Sequence, residues 1–447
     1  MKTRILAALL ALGVGAGPVQ AQEPLRLSLA DAIRRALEEG TAARIATSRV
    51  SEAEAQAQLA RSALQPQVSA GTFTANESLN LVTFGFQPAP GEPPVVGPFY
   101  VVDAHLNLAM NVIDVAARRR YAAALAGVKV GAEERRRTEN DVAAAVASLY
   151  VALGRSSAQI DQIRANVDLF EKLRQLALDQ KKAGIGTRLD TTRAEVQLAR
   201  QRQALLVATN QRDLARLALL RAIGADLGAD VVPADDWTRM EAPVPTVEQA
   251  LAAARQGRPE LTLLAERLRA AGLNLEAARA EKLPTVAAQA QAVESGNRVS
   301  DLAWSRTFGA TVNVPLFTGR RIEARIAEAQ AQQEEILLQQ RDIERQIEQE
   351  VRRALLVWEN ARSRVELASQ SVQLAQDEME LASDRFKAGV ASSIEVDNAQ
   401  TSLAAARDLR IDALADEAQA RFDLARATGE IRALIPASQQ TEHDHAR

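Results

Sequence analysis

The sequence predicts a mainly α-helical fold, in which a duplicated frame of long coiled-coil helices carries four inserted β-strands per chain. Three observations support this prediction. Aromatic residues make up 3% and charged residues 25% of the 447 residues, a composition that suits long packed helices. Apolar residues recur every seven residues over two very long segments, and a stretch of alternating apolar and polar residues interrupts each half.

The composition also excludes several classes of function. Cysteine is absent, which excludes disulfides and thiolate metal sites. The formal net charge of −3 argues against a nucleic-acid partner. No nucleophile-elbow, phosphate-loop or zinc motif is present in the sequence, so we expect no enzyme activity and no cofactor.

The N-terminus has the pattern of a secretory signal peptide. Lys2 and Arg4 precede the apolar run 5–16, and the small residues Val19 and Ala21 fit a cleavage site. We therefore predict that residues 1–21 are removed and that the protein is exported. No cysteine follows the cleavage site, so we expect no lipid anchor.

The first half divides into a helical repeat, 22–66 and 114–245, and an inserted β-hairpin, 67–113. Ser28 can cap the first helix of the repeat. In the hairpin, the even-numbered positions from 100 to 112 are apolar, whereas many of the odd-numbered ones are hydrophilic. Such a strand fits either a soluble core or, in an exported protein, a membrane barrel with a wet lumen.

Aromatic residues at the strand ends favour the membrane alternative. They flank the hairpin loops, where an interfacial girdle would lie; a small hydrophobic cluster under the loop is the alternative. The candidate girdle residues are Phe84, Phe86, Phe99, Tyr100 and Trp304.

A coiled-coil seam follows the first hairpin. Val146, Leu153, Ile160 and Val167 recur every seven residues within a helix predicted from about residue 116 to 183. At ~1.5 Å per residue such a helix is on the order of 100 Å long. A soluble globular domain rarely contains a rod of this length.

Each long helix ends in a glycine-containing tip that is followed at once by a second helix. The two tips share the pattern Lys-Ala-Gly followed by an aliphatic residue, and we expect each to be the turn of a helical hairpin. Their residues are Lys182, Ala183, Gly184 and Ile185 in the first, and Lys387, Ala388, Gly389 and Val390 in the second.

The second half repeats the first. Aligning Gly184 with Gly389 also aligns Gly224 with Gly429 without a gap. The corresponding segments are a helical repeat at 246–284 and 318–432, a β-hairpin at 285–317 and a disordered tail at 433–447.

The second long helix carries two apolar stripes. One is a row of alanines every seven residues from 354 to 382; the other contains Leu367, Leu374 and Leu381. Two stripes predict two helical neighbours, as in a ring of helices. Four strands per chain are fewer than the roughly eight that a membrane barrel needs, so a barrel would have to be shared between protomers.

These features together resemble a known family. Val314-Pro315-Leu316-Phe317-x-Gly319-Arg320 and Arg385-Phe386-Lys387-Ala388-Gly389-Val390, in a duplicated frame, are similar to TolC-type outer-membrane efflux proteins. The resemblance implies a homotrimer with a twelve-stranded barrel in outer-membrane lipid and a helical tunnel in the periplasm. It also implies a periplasmic adaptor, an inner-membrane pump of RND or ABC type, and a role as exit duct in efflux or type I secretion.

The resemblance further implies a gate at the tips. Asp190 matches the gate aspartate of the family, and Glu395 matches an acidic position of an inner ring. Asn398 occupies the second ring position, with Asp397 beside it, and Arg188 is a candidate closing contact. The alternative for Asp190 and Glu395 is helix capping, because both follow a hairpin turn closely.

A periplasmic coiled-coil scaffold or adaptor is the alternative function. Such a protein would use the same helical hairpins, but its strands would form a soluble domain. It would need no aromatic girdle.

Overall fold

The structure is a computed structural model. It describes residues 25–184, 186–238, 244–388, 390 and 392–434, and the side chains of Lys387, Ser393 and Leu434 are not described. The predicted signal peptide, the tip residues Ile185 and Gly389, and tail residues 435–447 lie outside the described residues.

The first half contains four helices and four strands among its described residues. In chain order they are β1 (Leu25–Leu27), α1 (Leu29–Glu38), α2 (Thr41–Ser62), β2 (Gln67–Asn80), β3 (Val95–Ile113), α3 (Val115–Lys182), α4 (Arg188–Ala222) and β4 (Val231–Pro233).

The second half repeats the order of the helices and hairpin strands around its own long helix. Its elements are α5 (Val247–Gly257), α6 (Pro259–Ala280), β5 (Thr285–Gly296), β6 (Ala303–Asn313), α7 (Arg321–Lys387) and α8 (Ser393–Thr428). A 3₁₀ helix, Ile431–Leu434, follows, so the first residues of the predicted tail are ordered. The mainly helical class with inserted strands is confirmed.

The long helices form one layer. Helix α3 packs against α2 and α4, and also against α6 and α8, while α7 packs against α6 and α8. Gly131 of α3 lies against Ala53 of α2, and Glu171, further toward the tip, pairs with Arg202 of α4 at 2.7 Å. Two short helices therefore cover the length of each long one. None of the described helices has a stretch long and apolar enough to cross a membrane.

The heptad positions predicted from sequence form the buried seams. Val146, Leu153 and Ile160 of α3 are buried, as are Ala361, Ala375 and Ala382 of α7. The alanines of α7 face α8, where Ala375 clusters with Leu403 and Ala406. Small side chains allow the two helix backbones to approach closely.

The four inserted strands predicted from sequence are present, and the described residues contain two further short strands that were not predicted. These are the parallel pair β1 and β4, in which Leu25 lies opposite Val231. Three-residue strands are too short to show an alternating pattern. Their position is fixed by Tyr150 of α3, whose hydroxyl donates to the carbonyl of Leu27 at 3.0 Å and accepts from the amide of Asp235 at 3.1 Å.

The remaining strands form one antiparallel sheet in the order β2-β3-β5-β6. Leu106 pairs with Ala70 and Ala292, so these side chains share one face. Asn107 pairs with Gln291 on the opposite face. The predicted division into an apolar and a hydrophilic face is therefore present, and β2 and β6 are the edge strands within the chain.

Candidate functional site

The first helical tip is closed by backbone hydrogen bonds. Gly184 has a φ of 80°, in the left-handed region, and the amide of Gly186 donates to the carbonyl of Gln180 at 3.0 Å. A Cβ at Gly186 would lie 2.9 Å from the nitrogen of Lys181, so a side chain does not fit there without a shift. Lys182, Ala183 and Gly184 are all exposed.

Asp190 forms a capping box at the start of α4. Its Oδ2 accepts from the amide of Thr187 at 3.0 Å and from the hydroxyl of Thr187 at 2.6 Å. The amide of Asp190 in turn donates to Thr187 Oγ1 at 3.2 Å. The carboxylate thus has the contacts of a helix cap, the alternative that the sequence left open. Arg188 is exposed beside it, and its carbonyl accepts from the hydroxyls of Thr191 and Thr192.

The second tip is held differently. Glu395, in the position that corresponds to Asp190, pairs with Nε of Arg385 at 2.9 Å. Ser392 caps α8 without a side-chain hydrogen bond, although the spacing Ser392 to Glu395 is that of a capping box. Gln180 occupies the position of Arg385 in the first repeat. Sequence reasoning missed this ion pair, and the Gln-to-Arg difference between the repeats is the signal that could have revealed it.

Asp397 lies next to the first hairpin. Burial raises the pKa of its carboxyl, and the charge of Arg193 in α4 opposes that rise. The carboxyl of Asp397 therefore interacts with the positive charge of Arg193 in the first hairpin. Glu395 instead pairs with Arg385 of its own hairpin. The two acidic residues of α8 have different environments.

The candidate girdle residues are mostly exposed. Phe84, Phe86, Tyr100 and Trp304 each expose more than 60% of their surface, while Phe99 is partly buried. Such exposure argues against a buried cluster under the loop.

Sequence reasoning missed exposed apolar residues at the other end of the sheet. Leu316 is 93% and Phe317 89% exposed, directly after β6. Both residues precede the turn at Gly319 and Arg320, which leads into α7. The two ends of the sheet therefore both carry exposed aromatic side chains.

Helix and strand edges also expose apolar residues. The leucine stripe of α7 predicted from sequence, Leu367, Leu374 and Leu381, is between 62% and 69% exposed. On α4, Leu206 and Leu214 are similarly exposed. Among the described residues, no group of three or more histidines and acidic side chains is placed to hold a metal ion.

Comparison with known proteins identifies the family. Residues 32–225 and 250–430 match the family described as outer membrane efflux protein. The pyoverdine export outer membrane protein OpmQ of Pseudomonas aeruginosa is 26% identical over 394 residues, covering 86% of this chain and 81% of that protein. The outer membrane efflux protein BepC of Brucella suis is 25% identical over 254 residues, covering 56% of this chain and 55% of that relative.

Solved structures share the fold. The CmeC outer membrane channel of Campylobacter jejuni superposes with a TM-score of 0.80 at 15% identity, covering 100% of this chain and 98% of that chain. The outer membrane protein VceC of Vibrio cholerae gives a TM-score of 0.74 at 19% identity, covering 90% of this chain and 96% of that chain. The chain therefore belongs to the outer membrane efflux protein family.

Proposed function

We propose that this chain is the exit duct of a tripartite efflux or type I secretion system and acts as a homotrimer. The observation that carries the proposal is that the sheet and the helical layer of one chain both end in open edges. Each edge is one that another copy of the chain could complete.

The strand edges support a shared barrel. β2 and β6 pair on only one side within the chain, which leaves rows of backbone donors and acceptors without a neighbouring strand. A membrane leaves such groups without water, so a spanning sheet must close. Pairing β6 of one copy with β2 of the next would close twelve strands from three chains.

The helix edges support the same arrangement. The leucine stripe of α7 is exposed, and it lies about 100° around the helix from the alanine row that contacts α8. Burying an exposed leucine contributes about 1.5–3 kcal/mol. The exposed leucines of α4 would supply the opposite surface in the neighbouring copy.

In this arrangement the sheet lies in the outer membrane and the helices extend into the periplasm. The tips would contact a periplasmic adaptor and lie nearest an inner-membrane pump of RND or ABC type. Their exposed residues are Lys182 to Gly184, Ala388 and Val390. Residues 1–21 would direct export.

The acidic tip residues would form a gate. Asp190, Glu395 and Asp397 would converge from three copies on one axis, where like charges concentrate a negative potential and attract cations. Arg188, exposed in the same turn as Asp190, is available as a closing contact.

Cysteine cross-linking tests the assembly, because the chain contains no cysteine of its own. Leu206→Cys in α4 and Leu367→Cys in α7 lie at similar distances from their tips along the chain. After oxidation of outer-membrane fractions, we expect the double variant to give covalent trimers. Each single variant is the matched control and should give none.

The alternative scaffold function makes a different prediction. A periplasmic scaffold would be extracted as a soluble protein without heat-modifiable migration. Recovery of this chain as a soluble monomer, with no cross-linked trimer in the double variant, would contradict the channel proposal.

A further inference from the structure

An arginine cluster lies at the junction of the sheet and the helices. Glu281, directly after α6, accepts from Arg325 at 2.7 and 2.8 Å and from Arg321 at 3.2 Å. Arg120 of α3 donates to the same carboxylate. Glu281 thus connects the end of α6, which precedes β5, to the first turns of α3 and α7, which follow β3 and β6.

The charges of this cluster do not balance. The side chain of Glu281 is 11% exposed, whereas each of the three arginines is about half exposed. One carboxylate therefore faces three guanidinium groups. Because like charges at such short distances repel one another strongly, the cluster is suited to a second anion.

Nearby acidic residues are already paired. Glu276 pairs with Arg119 at 3.1 Å, and Glu323 pairs with Lys282 at 3.2 Å. Arg118 and Arg320 are exposed, and the charge of Arg320 also acts on Glu323. The surroundings therefore add positive charge.

The N-terminus of α7 adds hydrogen-bond donors to the same place. Arg320, the residue before α7, has a φ of 66° and its side chain does not cap the helix, while the carboxylate of Glu323 in the first turn interacts with its own backbone amide. The first amides of a helix carry partial positive charge and bind anions, phosphate in particular. Arginine side chains bind phosphate oxygens in a bidentate manner.

The apolar neighbours indicate where such a phosphate would come from. Leu316 and Phe317, almost fully exposed, precede Arg320 and Arg321 by a few residues. Exposed aromatic and aliphatic side chains next to arginines are typical of a surface in contact with acyl chains and phospholipid headgroups.

We propose that Arg120, Arg321 and Arg325, together with the N-terminus of α7, form a phosphate-binding site at the junction of the sheet and the helices. The ligand carries a phosphate group, either a phospholipid headgroup of the membrane leaflet nearest the helices or a soluble phosphate. The lipid source rests on the proposed function, which places the sheet in a membrane.

Binding to the full-length protein in neutral detergent tests the site. Short-chain phosphatidylglycerol is titrated against the unsubstituted chain, R120Q/R321Q and the control R362Q, which removes an exposed arginine of α7 far from the junction. The loss of two charge-assisted hydrogen bonds should weaken binding by about tenfold or more in R120Q/R321Q. The control should bind as the unsubstituted chain does.

A competition with inorganic phosphate distinguishes the two sources. If phosphate does not displace phosphatidylglycerol, the ligand is the lipid; if it displaces the lipid, the site takes a soluble phosphate. Either result supports the site, whereas equal binding of both probes by the unsubstituted chain and R120Q/R321Q overturns it.

E281Q provides a second measurement that does not depend on the arginine variants folding. Removal of the only carboxylate in the cluster should strengthen binding severalfold, because it increases the net positive charge. Unchanged or weaker binding by correctly assembled E281Q contradicts the proposal. Membrane fractionation and trimer migration of the unsubstituted chain test the proposed function separately, since normal assembly without phosphate binding would remove only this inference.

Discussion

At the scale of single residues, the two tips show how one position can perform different tasks in the two repeats. Asp190 and Glu395 occupy corresponding positions, yet Asp190 caps α4 through Thr187 whereas Glu395 pairs with Arg385. A cap contributes about 1 kcal/mol to helix stability, and an exposed ion pair contributes up to about 1 kcal/mol.

A pair of variants at the first tip separates the capping role from the gate. We expect Asp190→Ala to raise single-channel conductance in planar bilayers, because loss of a proposed gate carboxylate should loosen the closed tip. Thr187→Ala is the matched control, since it removes the partner in the capping box and leaves the charge. An equal increase in both variants would assign the effect to capping alone.

At the scale of secondary-structure elements, Tyr150 joins α3 to the short strands β1 and β4. Its side chain is 1% exposed, and burial raises its pKa from 10.0 to about 12. The neutral hydroxyl is therefore the form that the folded protein favours. Removing a buried hydrogen-bonding group of this kind costs about 1–3 kcal/mol.

The raised pKa of Tyr150 predicts a loss of stability at alkaline pH. The contribution is fully present below pH 10, where the hydroxyl is protonated in both states, and is lost as the pH rises toward about 12. Tyr150→Phe should be less stable than the unsubstituted chain at pH 8 and lose less stability between pH 10 and 12.

Thermal unfolding followed by circular dichroism measures this difference. Tyr121→Phe, at a partly buried tyrosine of the same helix, is the matched control and should keep the alkaline loss. If Tyr150→Phe and the unsubstituted chain lost stability in parallel above pH 10, the alkaline loss of stability would come from another titratable group.

At the scale of the whole molecule, one chain is an incomplete structure. Its sheet has two edge strands, and its α7 exposes a leucine stripe about 100° around the helix from its alanine row. Patches of this kind mark surfaces that are covered in an assembly. In the proposed trimer, the stability of the folded chain would be inseparable from association with further copies.

Charges placed on the leucine stripe should prevent assembly. We expect Leu374→Glu combined with Leu381→Glu to abolish heat-modifiable trimer migration, because burying unpaired carboxylates opposes association by several kcal/mol. Leu409→Glu, at an exposed leucine of α8 outside the stripe, is the control and should leave trimers intact. Normal trimers in the double variant would show that the stripe is not an interface.

The sequence by itself determined the features that repeat locally. Heptads identified the buried positions of α3 and α7, alternation identified the two faces of the sheet, and the aligned glycines identified the duplication. Each of these patterns arises because a helix or strand buries one face along its whole length. The buried face therefore appears in the sequence as apolar residues at a regular spacing.

Only the tertiary structure decided the contacts between distant segments. The strands β1 and β4 meet across more than 200 positions of the sequence, and Arg385 pairs with Glu395 across a turn. Three arginines from the two helices α3 and α7 meet at Glu281. No periodic signal encodes such contacts. They depend on which side chains the packed helices bring together, and a polar side chain acquires its role from those neighbours.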